Sequence, residues 1–423
     1  MKKYEIRDPI FGFIAFNQWE KEIINSHPFQ RLRRIRQLAL TDMVYPGALY
    51  SRFEHSLGVM HLATLMFYAI LNNKRNKEIL ETEMKYNKAG LERDRQMIRL
   101  AALLHDIGHA PFSHASEEIM PINPKTGNNY QHEDYSVEII NGPLKCVIED
   151  NDINENNYKI KAEEISALIE GNPSILKGKI FWKTLISSQL DADRGDYLLR
   201  DSHHIGVKYG VYDYQRLLNT VALGFDPESN DVILGVDEGG WHVAEAVVLA
   251  RYQMFTQVYF HKSRRAYDYH LKEALQSLLP KGKLPTPQKI EKFLKSDDFH
   301  IWYLMKKCNE NPHCRAILGR KHIRLVYSTP EIPNEEDESK FEKNKGILNK
   351  SKIWYHIDNS KSVWYKMNEE KGDNKEIMII DTPGGSTKPL SAYSRIAQNI
   401  GTINQLRIYV NPDDREKTME IIS

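Results

Sequence analysis

The stretch that most constrains this 423-residue chain is an apolar run that ends among imidazoles. Leu100-Ala101-Ala102-Leu103-Leu104 leads into His105-Asp106, and Ile107-Gly108-His109-Ala110-Pro111-Phe112-Ser113-His114 follows. Such a run belongs to a buried helix. Helical spacing sets His105 and His109 one turn apart on one face, and the break at Pro111 returns His114 toward them. One histidine beside an apolar run is ordinarily a packed core residue, but three in one small region beside an aspartate suit a divalent ion. Further donors stand elsewhere: His55 in Arg52-Phe53-Glu54-His55-Ser56-Leu57-Gly58-Val59, and four aspartates between Leu190 and Asp201. For those aspartates, a solvated helix face is the competing reading.

The surrounding pattern is helical. Apolar residues recur at helical spacing over 18–38, where His27-Pro28 divides two helices, and over 55–72, 92–104, 134–140, 162–170 and 182–199. The first two hundred residues are therefore predicted to be all-helical. Residues 220–225 and 232–236, split by a turn, read as a β-hairpin, and a long helix is predicted from about 245 to 279, where Pro280-Lys281-Gly282 ends it. Short strands are predicted over 323–327, 353–357, 363–367, 377–380 and 406–410. The charged stretch 334–345 reads as a mobile exposed loop, and 381–386 as a turn without the residue order of a phosphate-binding P-loop. The expected fold is mainly α, with a β-hairpin insertion and a smaller C-terminal α+β region.

Composition sets the outer bounds. With 58 Lys plus Arg against 57 Asp plus Glu, the chain offers no broad polybasic surface for nucleic acid, although a local groove remains open. Three cysteines without a CxxC pair fit a reducing, cytoplasmic setting. The apolar run 59–71 is interrupted by His61 and Thr64 and is too short for a bilayer core of about 30 Å, and Met1-Lys2-Lys3 is not followed by a signal-like apolar stretch. No membrane segment is expected.

The order and rough spacing of His55, His105-Asp106 and Asp193 resemble the H…HD…D signature of the HD phosphohydrolases. Asp8-Pro9-Ile10, the run from Phe29 to Leu38, Tyr45-Pro46-Gly47-Ala48, Gln131-His132-Glu133 and His203-His204-Ile205-Gly206 extend the resemblance to the dNTP triphosphohydrolase branch and its stand-alone bacterial members. The similarity runs from about residue 4 to 325, and it implies a helical catalytic domain over 1–325, including the β-hairpin near 219–237, with a regulatory or oligomerisation α+β region over 326–423.

The resemblance implies an HD-domain helical core with one divalent ion on His55, His105, Asp106 and Asp193. Mn, Fe, Mg, Ni and Zn are not distinguished by such ligands. It implies attack of a metal-activated water at the α-phosphorus, leaving a deoxynucleoside and inorganic triphosphate. His114 would protonate the departing oxygen, oriented by Glu117 where relatives often have Asp, and His132 would assist at the phosphates. Arg52, His109 and Arg194 would contact substrate. Gln37 and Asp201 would bracket the sugar 3′-hydroxyl, Tyr197 would exclude a 2′-hydroxyl, and Lys262 and Tyr267 would reach the triphosphate end. Tyr259 departs from the pattern, standing where a phosphate-binding Arg occurs in the branch. A dNTP or GTP activator between subunits of a dimer or tetramer would use Asn25, Gln30, Arg33, Arg320 and Arg324, with Asn25 replacing a guanine-reading Asp. Two rivals stay open: an HD phosphohydrolase acting on a monophosphate, cyclic or signalling nucleotide, and a nucleotide-sensing or nucleic-acid-binding module.

Overall fold

Side-chain caps mark the starts of several helices in the computed structural model, which describes residues 3–362, 376–381 and 386–422. Asn17 and Glu20 form a capping box at the start of the Gln18–Asn25 helix, Asn87 accepts from the Gly90 N–H ahead of Lys88–Leu104, and Asp191 accepts from the Arg194 N–H ahead of Ala192–Ile205. Ser26 caps a second short helix, His27–Arg31, with Pro28 in its first turn, so the division expected at His27-Pro28 holds. The Arg52–Asn72 helix is buried along nearly its whole length because it packs between Lys88–Leu104 and Ala192–Ile205. Val59, Met60, Ala63 and Ile70 meet the wholly buried Ile98 and Leu100 to Leu104 in the main core.

Three expectations for the helices need correction. The chain opens with an antiparallel hairpin, β1 (Tyr4–Asp8) and β2 (Gly12–Phe16). The Asp8 Oδ1 accepts the Ile10 and Phe11 N–H groups, and Gly12 takes φ +80° to close the turn. Five residues per strand are too few for alternation to outweigh the helical signal that follows. The pattern over 182–199 is not one helix: a 3-10 turn, Lys177–Leu185, precedes a loop, and the Asp191 cap starts the helix only at Ala192. Nor is 245–279 continuous. Trp241–Met254 runs into a π turn, Phe255–Tyr259, and at His261 the backbone leaves helical geometry while the ring accepts the Ser263 N–H and starts Lys262–Leu278.

The predicted hairpin is β3 (Val221–Phe225) with β4 (Val232–Asp237). β5 (Arg324–Ser328) and β6 (Tyr355–Ser362) follow in the C-terminal part, then β7 (Met378–Ile380), β8 (Thr387–Pro389) and β9 (Ile403–Val410). The orders are β3-β4-β7-β8 and β5-β9-β6, antiparallel except for β4 with β7. β7 thus crosses the boundary expected at 325/326, and Ile377, Ile379, Leu390 and Ile403 pack with Val243, Val247 and Val248. The strand expected over 363–367 and the turn residues 382–385 lie outside the described residues.

The expected loop at 334–345 is instead the start of a helix, Glu335–Lys350. Asn334 and Asp337 form its capping box, and Glu335, Glu336, Asp337 and Glu338 occupy the first turn, where the helix dipole favours negative charge. Phe341 and Leu348 are its buried anchors against Ile408 and Val410. The charge density masked an amphipathic stripe only three residues deep. Among the described residues, no helix is long and apolar enough to cross a membrane.

His270, on Lys262–Leu278, joins this helix to the segment entering β5. Its Nε2 accepts the Ile323 N–H at 3.1 Å, so its proton sits on Nδ1, 3.0 Å from His313 Nδ1. Burial, then His313, His322 and His356, push its pKa down to about 3. The unfolded ring titrates near 6.5, so this contribution to stability is complete above that pH and is lost as pH falls toward 3. Thermal melts should therefore show Tm falling between about pH 6.5 and 4, and His270→Gln, which keeps an acceptor for Ile323, should flatten that fall; an unchanged slope would count against the assignment.

Candidate active site

Three helix ends meet at one point. The first turn of Arg52–Asn72 brings Arg52 and His55, the end of Lys88–Leu104 brings His105 and Asp106, and the first turn of Ala192–Ile205 brings Asp193. The helix stops at Leu104, so His105 and His109 do not share a helical face as predicted. Instead the chain turns, with the Ile107 N–H bonded to the Leu104 carbonyl and the His109 N–H to that of Asp106. Gly108 lets this turn lie against the backbone of the His132–Asn141 helix: a Cβ there would collide with the His132 carbonyl and the Ser136 amide. His132 consequently stacks on His109, ring centroids 3.9 Å apart.

The His55 and His105 imidazoles have their tautomers fixed by their Nδ1 partners. His55 Nδ1 donates to Asp196 Oδ2 at 2.7 Å and His105 Nδ1 to the Ala102 carbonyl at 2.8 Å, which leaves each Nε2 as a lone pair. Those Nε2 atoms are buried and make no hydrogen bond. They face carboxylates: His55 Nε2 lies 3.0 Å from Asp193 Oδ1 and 3.5 Å from Asp106 Oδ2, and His105 Nε2 lies 3.3 Å from Asp106 Oδ1 and 3.7 Å from Asp193 Oδ1. Donors bound at about 2.0–2.2 Å to one ion stand ~3.0–3.5 Å apart. Two lone pairs aimed at carboxylates repel unless a cation lies between them, so His55, His105 and Asp193, whose ligand atoms all lie within 4.8 Å of one another, fit one divalent ion, with Asp106 alongside. The same field attracts protons. Without an ion, burial lowers the His55 pKa, yet the adjoining Asp193, Asp196 and Asp106 carboxylates carry it up to about 10. Burial opposes ionisation of Asp106, but the Arg52 and histidine charges hold its pKa well below the usual range.

A second group adjoins the first. Arg52 bonds Asp106, and His109 Nε2 lies 3.2 Å from Asp106 Oδ1. His114 Nδ1 bonds Glu117 Oε1 at 2.6 Å, and its ring lies 4.9 Å from that of His109 and 6.0 Å from that of His132. Burial, then Arg52, pushes the pKa of His109 down; burial also lowers that of His132. Burial raises the Glu117 pKa, but His114 outweighs it, so the carboxylate is ionised beside the imidazole. His114 remains 61% exposed at its side chain whereas His109 is buried, so His114 alone of the pair faces incoming solute.

Next to this, Asp201 accepts from both the Tyr50 and Tyr259 hydroxyls, and burial pushes its pKa up to about 6. Tyr197 packs edge-on to Tyr259 at 6.3 Å, and the Gln37 N–H bonds the Tyr50 carbonyl while its Oε1 is buried without a hydrogen bond. Arg194 is paired with Asp191. Lys262 instead lines a pocket of about 370 Å³ with His322, Arg324 and Arg415, and Tyr267 lies against His322. Arg320 donates to the Met43 carbonyl. Arg33 donates to Gln30 and lies 3.5 Å over the Phe53 ring, while Asn25 is exposed at the end of its helix.

Sequence reasoning missed Asp196, Arg200 and Tyr50. Arg200 bonds Asp196 through Nε and Nη2 and bonds Asp8 through Nη1, so the carboxylate that orients His55 is itself clamped. The i, i+3 spacing of Asp193 and Asp196 was the available signal.

The chain carries an HD domain followed by an HD associated region: the HD domain model matches residues 52–177, and the HD associated region matches 212–329. Among its relatives, the uncharacterized protein YwfO of Bacillus subtilis (strain 168) is 29% identical over 93% of this chain and 88% of its own length. The Dictyostelium discoideum protein named deoxynucleoside triphosphate triphosphohydrolase SAMHD1 homolog is 32% identical over 64% of this chain, which spans 48% of that relative. A crystal structure of a hypothetical protein from Aquifex aeolicus matches with TM-score 0.78 and 28% identity over 99% of each chain. A phosphohydrolase from Bacteroides thetaiotaomicron, 24% identical with TM-score 0.71 over 97% of this chain and all of its own, shares the fold.

Proposed function

We propose that the chain is a metal-dependent deoxynucleoside triphosphate triphosphohydrolase, cleaving a dNTP to deoxynucleoside and inorganic triphosphate. The observation that carries this reading is the pair of tethered imidazoles facing two carboxylates beside a separate His114–Glu117 dyad. A divalent ion held by His55, His105, Asp106 and Asp193 supplies a water of lowered pKa and neutralises phosphoryl charge. Arg52, fixed between Asp106 and Ser113, offers its guanidinium to a phosphate oxygen. His114 gives a proton to the departing 5′-oxygen, and Glu117 holds the ring in the required tautomer. His109 and His132, kept neutral by burial, donate to phosphate oxygens without adding a fixed charge. In this reading Gln37, Tyr197 and Asp201 serve the sugar end and Arg194 contacts substrate, whereas Lys262 and Tyr267, which lie at the separate pocket with His322, would reach only the far end of the triphosphate. Asn25, Gln30, Arg33, Arg320 and Arg324 form activator contacts in a cytoplasmic homo-oligomer, with residues 326–423 contributing to its assembly.

Each dNTP, alone and in mixtures, with Mn²⁺ or Mg²⁺, should yield deoxynucleoside plus triphosphate, and activity confined to mixtures would reveal an activator. Intact dNTPs under every condition would sink the reading; release of phosphate or opening of a cyclic ester would transfer it to another nucleotide ester. Glu117→Gln should lower kcat about tenfold with KM little changed, since general-acid catalysis as a whole contributes roughly 10²–10⁴. Steady-state rates against the parent enzyme provide the check.

A further inference from the structure

A second network joins the active-site turn to the start of the Asp298–Lys307 helix. Asp298 is 2% exposed. Its Oδ1 accepts the Phe112 N–H at 2.7 Å and its Oδ2 accepts the Arg36 N–H at 2.9 Å. Phe112 and Ser113 both adopt left-handed backbone, at φ +59° and +56°. Side-chain-bearing residues rarely do so, and two in succession persist only where the surroundings hold them.

Those surroundings come from residues far away in the chain. Ser113 Oγ donates to the Arg36 carbonyl and accepts from Arg52 Nε, both at 2.7 Å. The wholly buried Arg31 donates from Nη1 to the His109 carbonyl at 2.9 Å and from Nε to that of Ser296 at 2.8 Å. Arg34 pairs with Asp297 at 2.5 Å. The turn from His109 to Ser113 is thus tied at both ends, at one end through Arg31 to Ser296 and at the other directly to Asp298. His114 is the next residue.

We propose that Asp298 is the positioning residue for this turn, setting the direction from which His114 meets the leaving oxygen while touching neither metal nor substrate. This rests on the acid role given to His114 above. The requirement is specific for a short carboxylate. Two amide donors need two acceptor oxygens; asparagine would turn an NH₂ toward one of them, and the extra methylene of glutamate would displace its oxygens from the two amides.

Asp298→Asn and Asp298→Ser are to be compared with Asp297→Ala. The last removes the His300 cap and the Arg34 pair from the same helix start but leaves both amide bonds intact. Manganese-loaded proteins are assayed on a dNTP and on bis(p-nitrophenyl) phosphate, whose nitrophenolate departs without a proton donor. Both Asp298 variants should lose about 10- to 100-fold in kcat on the dNTP, part of the roughly 10²–10⁴ of a complete acid, with KM within about twofold and the nitrophenyl ester unaffected. Asp297→Ala should retain both activities. Equal losses on both substrates, a matching loss in Asp297→Ala, or no loss at all would overturn the proposal.

Two readouts do not depend on dNTP turnover. In the unmodified protein the Phe112 amide should resist hydrogen exchange like the core, and exchange at open-loop rates would overturn the proposal even if no Asp298 variant folded. The ring nitrogen resonances of His114 should move in Asp298→Asn. If the parent enzyme left every dNTP intact, the functional reading would fall, and unmoved His114 resonances would separately refute the positioning role.

Discussion

Alanine at position 58 should dismantle the proposed metal centre while adding a single methyl group. Gly58 lies on Arg52–Asn72 one turn after His55, and a Cβ there would penetrate both Asp196 Oδ1 and the Arg200 guanidinium. These two groups form a wholly buried ion pair that also holds Asp8 and orients His55. Overpacking alone costs about 1–3 kcal/mol, and separating a buried pair costs ~3–5 kcal/mol. The helix backbone cannot retreat, because Lys88–Leu104 packs against the same helix. Gly58→Ala should therefore move the urea midpoint by the equivalent of about 3–5 kcal/mol. In any folded fraction, metal affinity should fall by about 10–100-fold, as when an orienting partner is lost. Ser56→Ala, at a buried hydroxyl without a hydrogen bond, is the matched control and should change little. Retention of parental metal affinity by Gly58→Ala would show that Asp196 does not govern His55.

The second large effect concerns Asp106. It faces both His55 and His105, bonds Arg52, and lies beside His109. Asp106→Ala removes a ligand and leaves a buried guanidinium with only the Ser113 hydroxyl. Metal content, measured by plasma mass spectrometry, should fall from about one ion per chain to none, on the reading that this is a single-ion site. Hydrolysis should fall to background. Asp106→Asn, which retains an oxygen for Arg52, separates the two losses: near-parental stability without metal or turnover is expected. Turnover surviving in either variant would remove these four residues as the reactive centre.

The residues that made this site legible were those whose local spacing already determines their direction. His105 and Asp106 close an apolar helix, and His55 opens another, so helical geometry and burial direct them inward before any tertiary contact is known. The β3–β4 hairpin was legible for the same local reason. What escaped depends on partners remote in sequence. Asp196 is one of four aspartates in this stretch, and beyond its i, i+3 spacing from Asp193 only the packing of Ala192–Ile205 against Gly58 selects it. Asp298 has no local signature, because its function is to satisfy two amides from segments more distant still. The hairpin at the N-terminus and the helix at Glu335 failed for the opposite reason: their apolar stripes are short, and charge or the adjoining helix dominates any averaging window.

The clamp between Asp8 and Arg200 bears on what such a chain can exchange with other genes. The segment matching the HD domain ends at 177, before Asp193 and Asp196. Recombination at that boundary would transplant His55, His105 and Asp106 without the helix that completes their charge, and without the N-terminal strand residue that secures that helix. The recognisable segment and the heritable unit differ: selection can retain this chemistry only by carrying the N-terminal strand, the HD segment and the Asp191-capped helix together.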